Sequence, residues 1–404
     1  MRDGWIEATL REALEPIAIH PNGKDFPLVL SVTEKRGIIP QTEIFKHRIA
    51  TDDISKYKVL EPMDIAYNPY LLWCGAIGQW KGTEAGVVSP VYECFRVKSN
   101  CEPRYLGYIF ETGILTNYFD ALAIGSIVRR RRTIPSDFIA APIQLPPLSE
   151  QKRIVDLISS VDTYINALWQ QLESTKKSRK AVLRELLTAG GNGWEESTLG
   201  ELISHSIGGI WGEDQGGGEV DVPVYRQTEF SDSGILTTPA EAIRSVSKSQ
   251  LKSRTLQEGD ILIQKSAGTP NLPGRVVSVP NLNDEVATFS NFLKLLRPNT
   301  GKCIPRLAFL IFWDKHQDGR AFEYQRGTNI KNLDLPSYLL ETILIPSAPD
   351  QKRIVELIST FDDFLAETSR SISLFENLRS GLLSDLLSGT HEIPASYDKV
   401  IGAA

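Results

Sequence analysis

The chain has 404 residues, of which 41% are hydrophobic and 23% charged, with a formal net charge of -6. That profile fits a folded chain of two or three domains and excludes a disordered one. It also excludes a blanket basic coat for nucleic acid, while leaving room for a local basic surface. Cys74, Cys94, Cys101 and Cys303 are scattered, make no CxxC and do not cluster with the histidines. Free thiols in a reducing compartment are expected. No run approaches the roughly 18 apolar residues of a membrane span, and residues 1–14 carry no signal-type apolar segment, so a cytoplasmic chain is expected.

Residues 1–145 show little helical periodicity. Short apolar runs broken by Gly and Pro predict strands at Leu28–Val32, Ile65–Tyr67, Gly86–Val88, Tyr92–Val97 and Ile139–Leu145, with a short helix over Arg104–Ile109. The run Leu145–Pro146–Pro147–Leu148–Ser149–Glu150 then ends the extended region, with Ser149 placed to cap a helix.

That helix is the strongest signal in the chain. Ile154, Ile158, Val161, Ile165, Leu168, Leu172, Thr175, Arg179, Val182 and Leu186 alternate spacings of four and three, the period of a coiled-coil seam. The pattern returns 200 positions later at Ile354, Ile358, Phe361, Leu365, Thr368, Ile372, Phe375, Arg379, Leu382 and Leu386.

Between the two helices lies a flexible connector, Gly190–Gly191–Asn192–Gly193, and then the chain restarts. Gly193–Trp194 echoes Gly4–Trp5, Leu256–Ile261 echoes Leu60–Ile65, and Ile343–Pro346 echoes Ile143–Pro146. The order is globule, helix, globule, helix. The boundaries read as 1–145 and 191–345 for the globules, 146–190 and 346–390 for the helices, and 391–404 for a tail. The second helix is preceded by Ser347–Ala348–Pro349–Asp350 in place of Pro147–Leu148–Ser149–Glu150. Asp350 is the expected cap there, at a less rigid junction.

Each helix has one apolar stripe, and its copy is the nearest partner. A parallel pair would set Arg179 against Arg379, a costly like-charge layer. An antiparallel pair centred near Leu168 and Thr368 separates them, bringing Arg179 near Ile358 and Arg379 near Ile158. The globules would then lie at opposite ends of a rod of roughly 57 Å, about 17 base pairs of B-form DNA.

Enzymatic signatures are weak. Asn68–Pro69–Tyr70 has an amino-methyltransferase flavour but lacks a second Pro and a glycine-rich methyl-donor loop, and it reads as a turn. Asp260–Ile261–Leu262–Ile263–Gln264–Lys265 is the best nuclease candidate, with Gln264 where a carboxylate is wanted. Cys94 and Cys101 lack the second half of a zinc site, so no metal and no cofactor are expected.

The basic residues are more informative. Arg129, Arg130, Arg131 and Arg132 make the sharpest charge run, suited to phosphate contacts that position without reading sequence. Lys35 and Arg36 open a turn. Arg226 and Gln227, Lys265, and Arg326 with Asn329 set cations beside amide or hydroxyl groups, the chemistry that reads guanine and adenine edges.

Taken together, Leu145–Pro–Pro–Leu–Ser–Glu–Gln151–Lys–Arg–Ile with its copy at Gln351, the Leu-rich endings at Arg179–Leu187 and Arg379–Leu387, and Pro223–Val224–Tyr225–Arg226 resemble the specificity subunit of type I restriction–modification systems of bacteria and archaea. So do Gly193–Trp194 with the restart Thr198–Leu199–Gly200–Glu201–Leu202, and Tyr67–Asn68–Pro69 with Gly75–Ala76–Ile77–Gly78. The resemblance covers nearly the whole chain. It implies an α+β fold: two α/β target-recognition domains joined by two long antiparallel coiled-coil helices with an internal pseudo-two-fold repeat. It further implies a non-catalytic subunit that reads a bipartite site on double-stranded DNA. Partners would be two modification subunits carrying adenine methyltransferase activity, and restriction subunits for translocation and cleavage. S-adenosylmethionine, ATP and Mg would be used by those partners. Two other classes stay open at this point: a protein-interaction scaffold, for which the acidic charge speaks, and a self-contained DNA-modifying enzyme.

Overall fold

The computed structural model describes residues 4–24, 26–44, 53–125, 131–269 and 272–401. The chain divides into two compact units, residues 1–169 with 370–404, and residues 170–369. Two long helices, Leu148–Thr188 and Ala348–Leu387, each give half their length to one unit and half to the other.

The units repeat one plan. In the first, Ile6–Thr9 pairs antiparallel with Pro142–Leu145, putting Ile6 opposite Leu145. In the second, Glu195–Thr198 pairs with Thr342–Ile345, putting Glu195 opposite Ile345. Each globule therefore ends beside its own beginning. A four-stranded antiparallel sheet follows in both. Its order is Leu14–Ile17, Glu93–Val97, Ile65–Tyr67, Ile77–Gln79 in the first unit. In the second it is Ile203–Gly208, Leu293–Pro298, Ile261–Gln264, Val276–Ser278. The central strands are buried on both faces, which is why they read as unbroken apolar runs.

Some sequence expectations shift. The strand expected over Ile139–Leu145 is confined to Pro142–Leu145, because Pro135 starts a short helix, Pro135–Ile139. The helix over Arg104–Ile109 extends to Pro103–Glu111, again opened by a proline. Ser149 is not the cap. The first long helix starts at Leu148, and the Pro147 carbonyl accepts from the amides of Glu150 and Gln151 at 2.9 and 3.0 Å.

The second junction is not slack. Ser347 is the cap and Asp350 its reciprocal partner. The Ser347 hydroxyl donates to the Asp350 carboxylate at 2.8 Å and accepts from the Asp350 amide at 3.5 Å. The Trp194 indole donates to the same carboxylate at 2.9 Å, as Trp5 donates to Glu150 at 3.2 Å. The repeated Gly–Trp pair is thus a latch onto the third residue of each long helix. The repeated glutamine completes it. Gln151 accepts from the Glu102 amide at 2.8 Å and donates to the Pro146 carbonyl at 2.9 Å. Gln351 accepts from Ile304 at 2.9 Å and donates to Pro346 at 3.0 Å.

Within each unit the helices run antiparallel. Ile154, Val155 and Ile158 share a core with Leu383, Leu386 and Leu387 in the first, and Ile354 and Ile358 share a core with Leu183 in the second. Of the expected seam, Ile154, Ile158, Ile165, Leu168, Leu172, Ile354, Ile358 and Ile372 are buried, while Val161, Phe361, Leu365 and Phe375 are half-buried. The arginines are paired one turn along from the residues expected beside them. Arg179 meets Asp362 rather than Ile358, and Arg379 meets Asp162 rather than Ile158. Each guanidinium takes the nearest carboxylate of the opposing helix, since a buried cation without one is costly.

Candidate nucleic-acid interface

Some of the basic candidates fall on one repeated feature. In the first unit the carbonyl of Pro69, just past the central strand, accepts from the Thr133 amide at 3.0 Å. In the second the carbonyl of Lys265, at the matching position, accepts from Leu333 at 2.8 Å. A backbone pairing leads into that contact in both. Ile124 and Arg132 exchange backbone hydrogen bonds at 3.0 Å. Gln325–Arg326 pairs with Lys331–Leu333, which pairs in turn with Ser266–Ala267. Gly327 allows the turn: its φ is +100°, and a Cβ there would lie 2.3 Å from the Ile330 carbonyl oxygen.

The side chains on these segments differ in how free their charges are. Arg129 and Arg130 lie outside the described residues. Arg131 is held inside its unit. It pairs with the Asp120 carboxylate at 2.7 Å and lies over the Trp73 ring at 4.8 Å. Arg132 is exposed. Lys265 and Asn329 are exposed, and Arg326 is exposed with its guanidinium on the carbonyls of Glu323 and Gln325. Lys331, not singled out from sequence, joins them with its ammonium on the Gly327 carbonyl at 2.6 Å. These contacts spend hydrogen bonds on carbonyls but leave net positive charge on the hairpin.

Elsewhere the arginine candidates are paired. Lys35 is exposed in the turn between Leu30–Thr33 and Gly37–Pro40, and its neighbour Arg36 is ion-paired to Glu43. Arg226 pairs with Glu229 and Glu241, both at 2.8 Å. Burial alone would raise the Glu229 carboxyl, but the hydrogen bonds from Arg226 and Thr228 outweigh it and hold the group below the usual range. Gln227 beside it is exposed. A second echo was overlooked in the sequence. Gln41–Thr42–Glu43 and Gln227–Thr228–Glu229 are identical triplets, and both form a single 3-10 turn. A search for short identical words between the globules would have found it.

The enzymatic candidates resolve as structure. Asp260 is buried and bound by Arg297 through two contacts of 2.8 Å, while its carboxylate also accepts from the Gln257 amide. Asp64 repeats the arrangement with Arg96, at 2.9 Å twice. This carboxylate anchors a turn and is closed to a metal. Asn68 accepts from the Tyr70 amide at 3.1 Å, a turn of the Asx type. Burial pushes the Cys94 and Cys303 thiols up to about 12 and Cys74 to about 11, far from thiolate reactivity. Among the described residues no helix is long and apolar enough to cross a membrane.

A doubled sheet-and-helix unit, each copy closed by a strand pair beside its long helix, defines a class of two-module fold. Residues 191–373 match the type I restriction modification DNA specificity domain. The chain is 24% identical over 335 residues to the type I restriction enzyme StySPI specificity subunit of Salmonella potsdam, covering 74% of this chain and 71% of that protein. Its fold matches a chain from a structure of type I R-M complex assembly and conformational transition, with a TM-score of 0.61 at 17% identity over 96% of this chain and 98% of that one. It also matches the S subunit of M. genitalium, with a TM-score of 0.51 at 15% identity over 95% and 96% of the two chains. The chain is thus similar to type I restriction–modification specificity subunits, with the specificity domain itself matched over residues 191–373.

Proposed function

We propose that this chain is the DNA-reading scaffold of a type I complex, each globule contacting one half of a split site on a duplex. The observation that carries this reading is the repeated backbone pairing beside the central strand, which offers Arg132 in one unit and Lys265, Arg326, Asn329 and Lys331 in the other. Phosphate contacts from these cations would set register. Gln227, and Gln41 at the matching turn, are the amides suited to a base edge. The paired helices, 41 and 40 residues long, fix the unspecified spacer between half-sites.

Docking of modification subunits has its own support. Along the second helix Leu357, Phe364, Leu374 and Leu378 are exposed, at heptad-related positions outside the seam. A second stripe of this kind suits another helix. In this reading the methyltransferase chemistry, and any ATP-driven cleavage, belong to the partners.

The test is to map methylated adenines in cells expressing this chain with its modification subunit. A bipartite motif of fixed spacing is expected, and binding of the assembled complex should collapse when the spacer changes by one base pair. Binding indifferent to spacing would sink the reading. The net charge of -6 favours a protein-only scaffold as the alternative; assembly with no DNA binding would establish that instead.

A further inference from the structure

The two long helices open with the same word, Gln–Lys–Arg–Ile–Val, at 151–155 and 351–355, yet their outer faces are treated differently. On the first helix Arg153 donates to the Asp398 carboxylate at 2.8 Å and to the Ile393 carbonyl at 3.1 Å. The Tyr397 hydroxyl donates to the Asp156 carboxylate at 2.9 Å. Ile393 is buried in the core of the first unit, and Leu157 and Tyr397 both pack on that core. The segment following the second helix therefore lies over this face. On the second helix the matching residues are Arg353, Glu356 and Leu357, with the same chemistry in the same order. All three are exposed, Leu357 by 40%.

We propose that residues 393–398 are a built-in cover over one of two equivalent docking faces, so that the faces fill in order. The inference rests on the scaffold reading above. Its occupant is a segment of the modification subunit bearing an aromatic side chain beside a carboxylate. That is the chemistry the tail itself uses: Tyr397 on an apolar and acidic surface, Asp398 on an arginine. The first modification subunit takes the open face at Arg353, Glu356 and Leu357. The second must displace Tyr397 and Asp398 from Arg153 and Asp156. A face that is open about a tenth of the time binds about tenfold more weakly.

The test titrates purified modification subunit into the full chain and into Tyr397→Ala/Asp398→Ala, which leaves Ile393 in the core. Native mass spectrometry counts the copies bound, and hydrogen exchange follows residues 153–157 and 353–357. In the full chain two copies should bind with affinities about tenfold apart, the first protecting 353–357. In the double variant the gap should close, with free 153–157 exchanging as fast as 353–357. Leu357→Asp should remove the tighter site alone. Equal sites in the full chain, or a gap untouched by the double variant, would overturn the cover. Failure of every form to bind the modification subunit would overturn the scaffold reading as well.

Discussion

Arg179 of the first long helix donates to Asp362 of the second at 2.6 Å, and Arg379 of the second is held by Asp162 of the first, the same pair with the helices exchanged. The two pairs are not equally deep. The Arg179 side chain is 5% exposed, lies over the Trp313 ring at 4.7 Å and shares Asp362 with Arg306. Arg379 is 17% exposed and has a second carboxylate, Glu111, at 2.7 Å. Asp362→Ala should therefore destabilise by about 3 kcal/mol, since it strands a buried cation. Asp162→Ala should cost about 1 kcal/mol, because Glu111 remains. Arg179→Leu combined with Asp362→Ala should recover much of the first loss. Urea midpoints of the four proteins check the order; equal costs at the two sites would contradict it.

The Trp194 latch sets an acid dependence. The indole, then the Ser347 hydroxyl, hold the Asp350 carboxyl below its ordinary value of 3.8. A carboxyl lowered on folding contributes stability that is fully present above the unfolded value and is lost as pH falls through the folded one. Trp194→Phe should leave that acid loss smaller, flattening the stability curve below about pH 4. Stability measured from pH 7 to pH 2 is the check; an unchanged acid limb would mean the indole does not hold the carboxylate.

Met63 sits at φ +73°, where its repeat partner is Gly259 at +83°. Left-handed backbone costs a side-chain-bearing residue about 1–2 kcal/mol. Gly259→Ala should destabilise by about that amount, as its Cβ would also approach Pro305 at 3.3 Å. Met63→Gly should gain up to about 1 kcal/mol, reduced by the chain entropy of glycine. Thermal or urea midpoints decide; a loss on Met63→Gly would show that its half-buried thioether outweighs the strain.

On DNA, Arg132→Ala, Arg326→Ala and Lys331→Ala in the assembled complex should weaken binding across sequences. Each should lower the slope against log salt concentration by about one. Gln227→Ala should instead relax one base position, by about 1–3 kcal/mol of discrimination. Salt titrations and methylation motifs separate the two outcomes. A uniform loss at Gln227, or an altered motif at Lys331, would reverse their roles.

The helices were legible because a seam must repeat to stay buried, and Ile154 to Leu172 does so without a break. Their direction was legible from Arg179 and Arg379, though the partners of those two arginines were not. The carboxylates that hold them, Asp162 and Asp362, look like ordinary surface residues in the sequence. The caps were misread because Ser149 suits a cap chemically, whereas the chain turns one step earlier at Pro147. The repeated pairing was only half visible. Charge marks Arg131 and Arg132, but nothing local links Lys265 to the strand Lys331–Leu333, whose Leu333 amide donates to the Lys265 carbonyl across more than sixty residues. Which cations are neutralised by a neighbour, as Arg226 is, follows from folding and not from spelling.

The paired strands at the mouth of each globule carry a further consequence. Ile6 stands opposite Leu145, and Glu195 opposite Ile345, so a globule enters and leaves through one two-stranded stem. With the tryptophan latch and the glutamine stitch, that stem is a socket. The point where each long helix begins is thus held by a strand pair, an indole and an amide at once. Because the sheet and the first turns of the helix share one core in each unit, a change of volume at Tyr67 or Ile263 is felt at Ile158 or Ile358, and globule and helix must vary together.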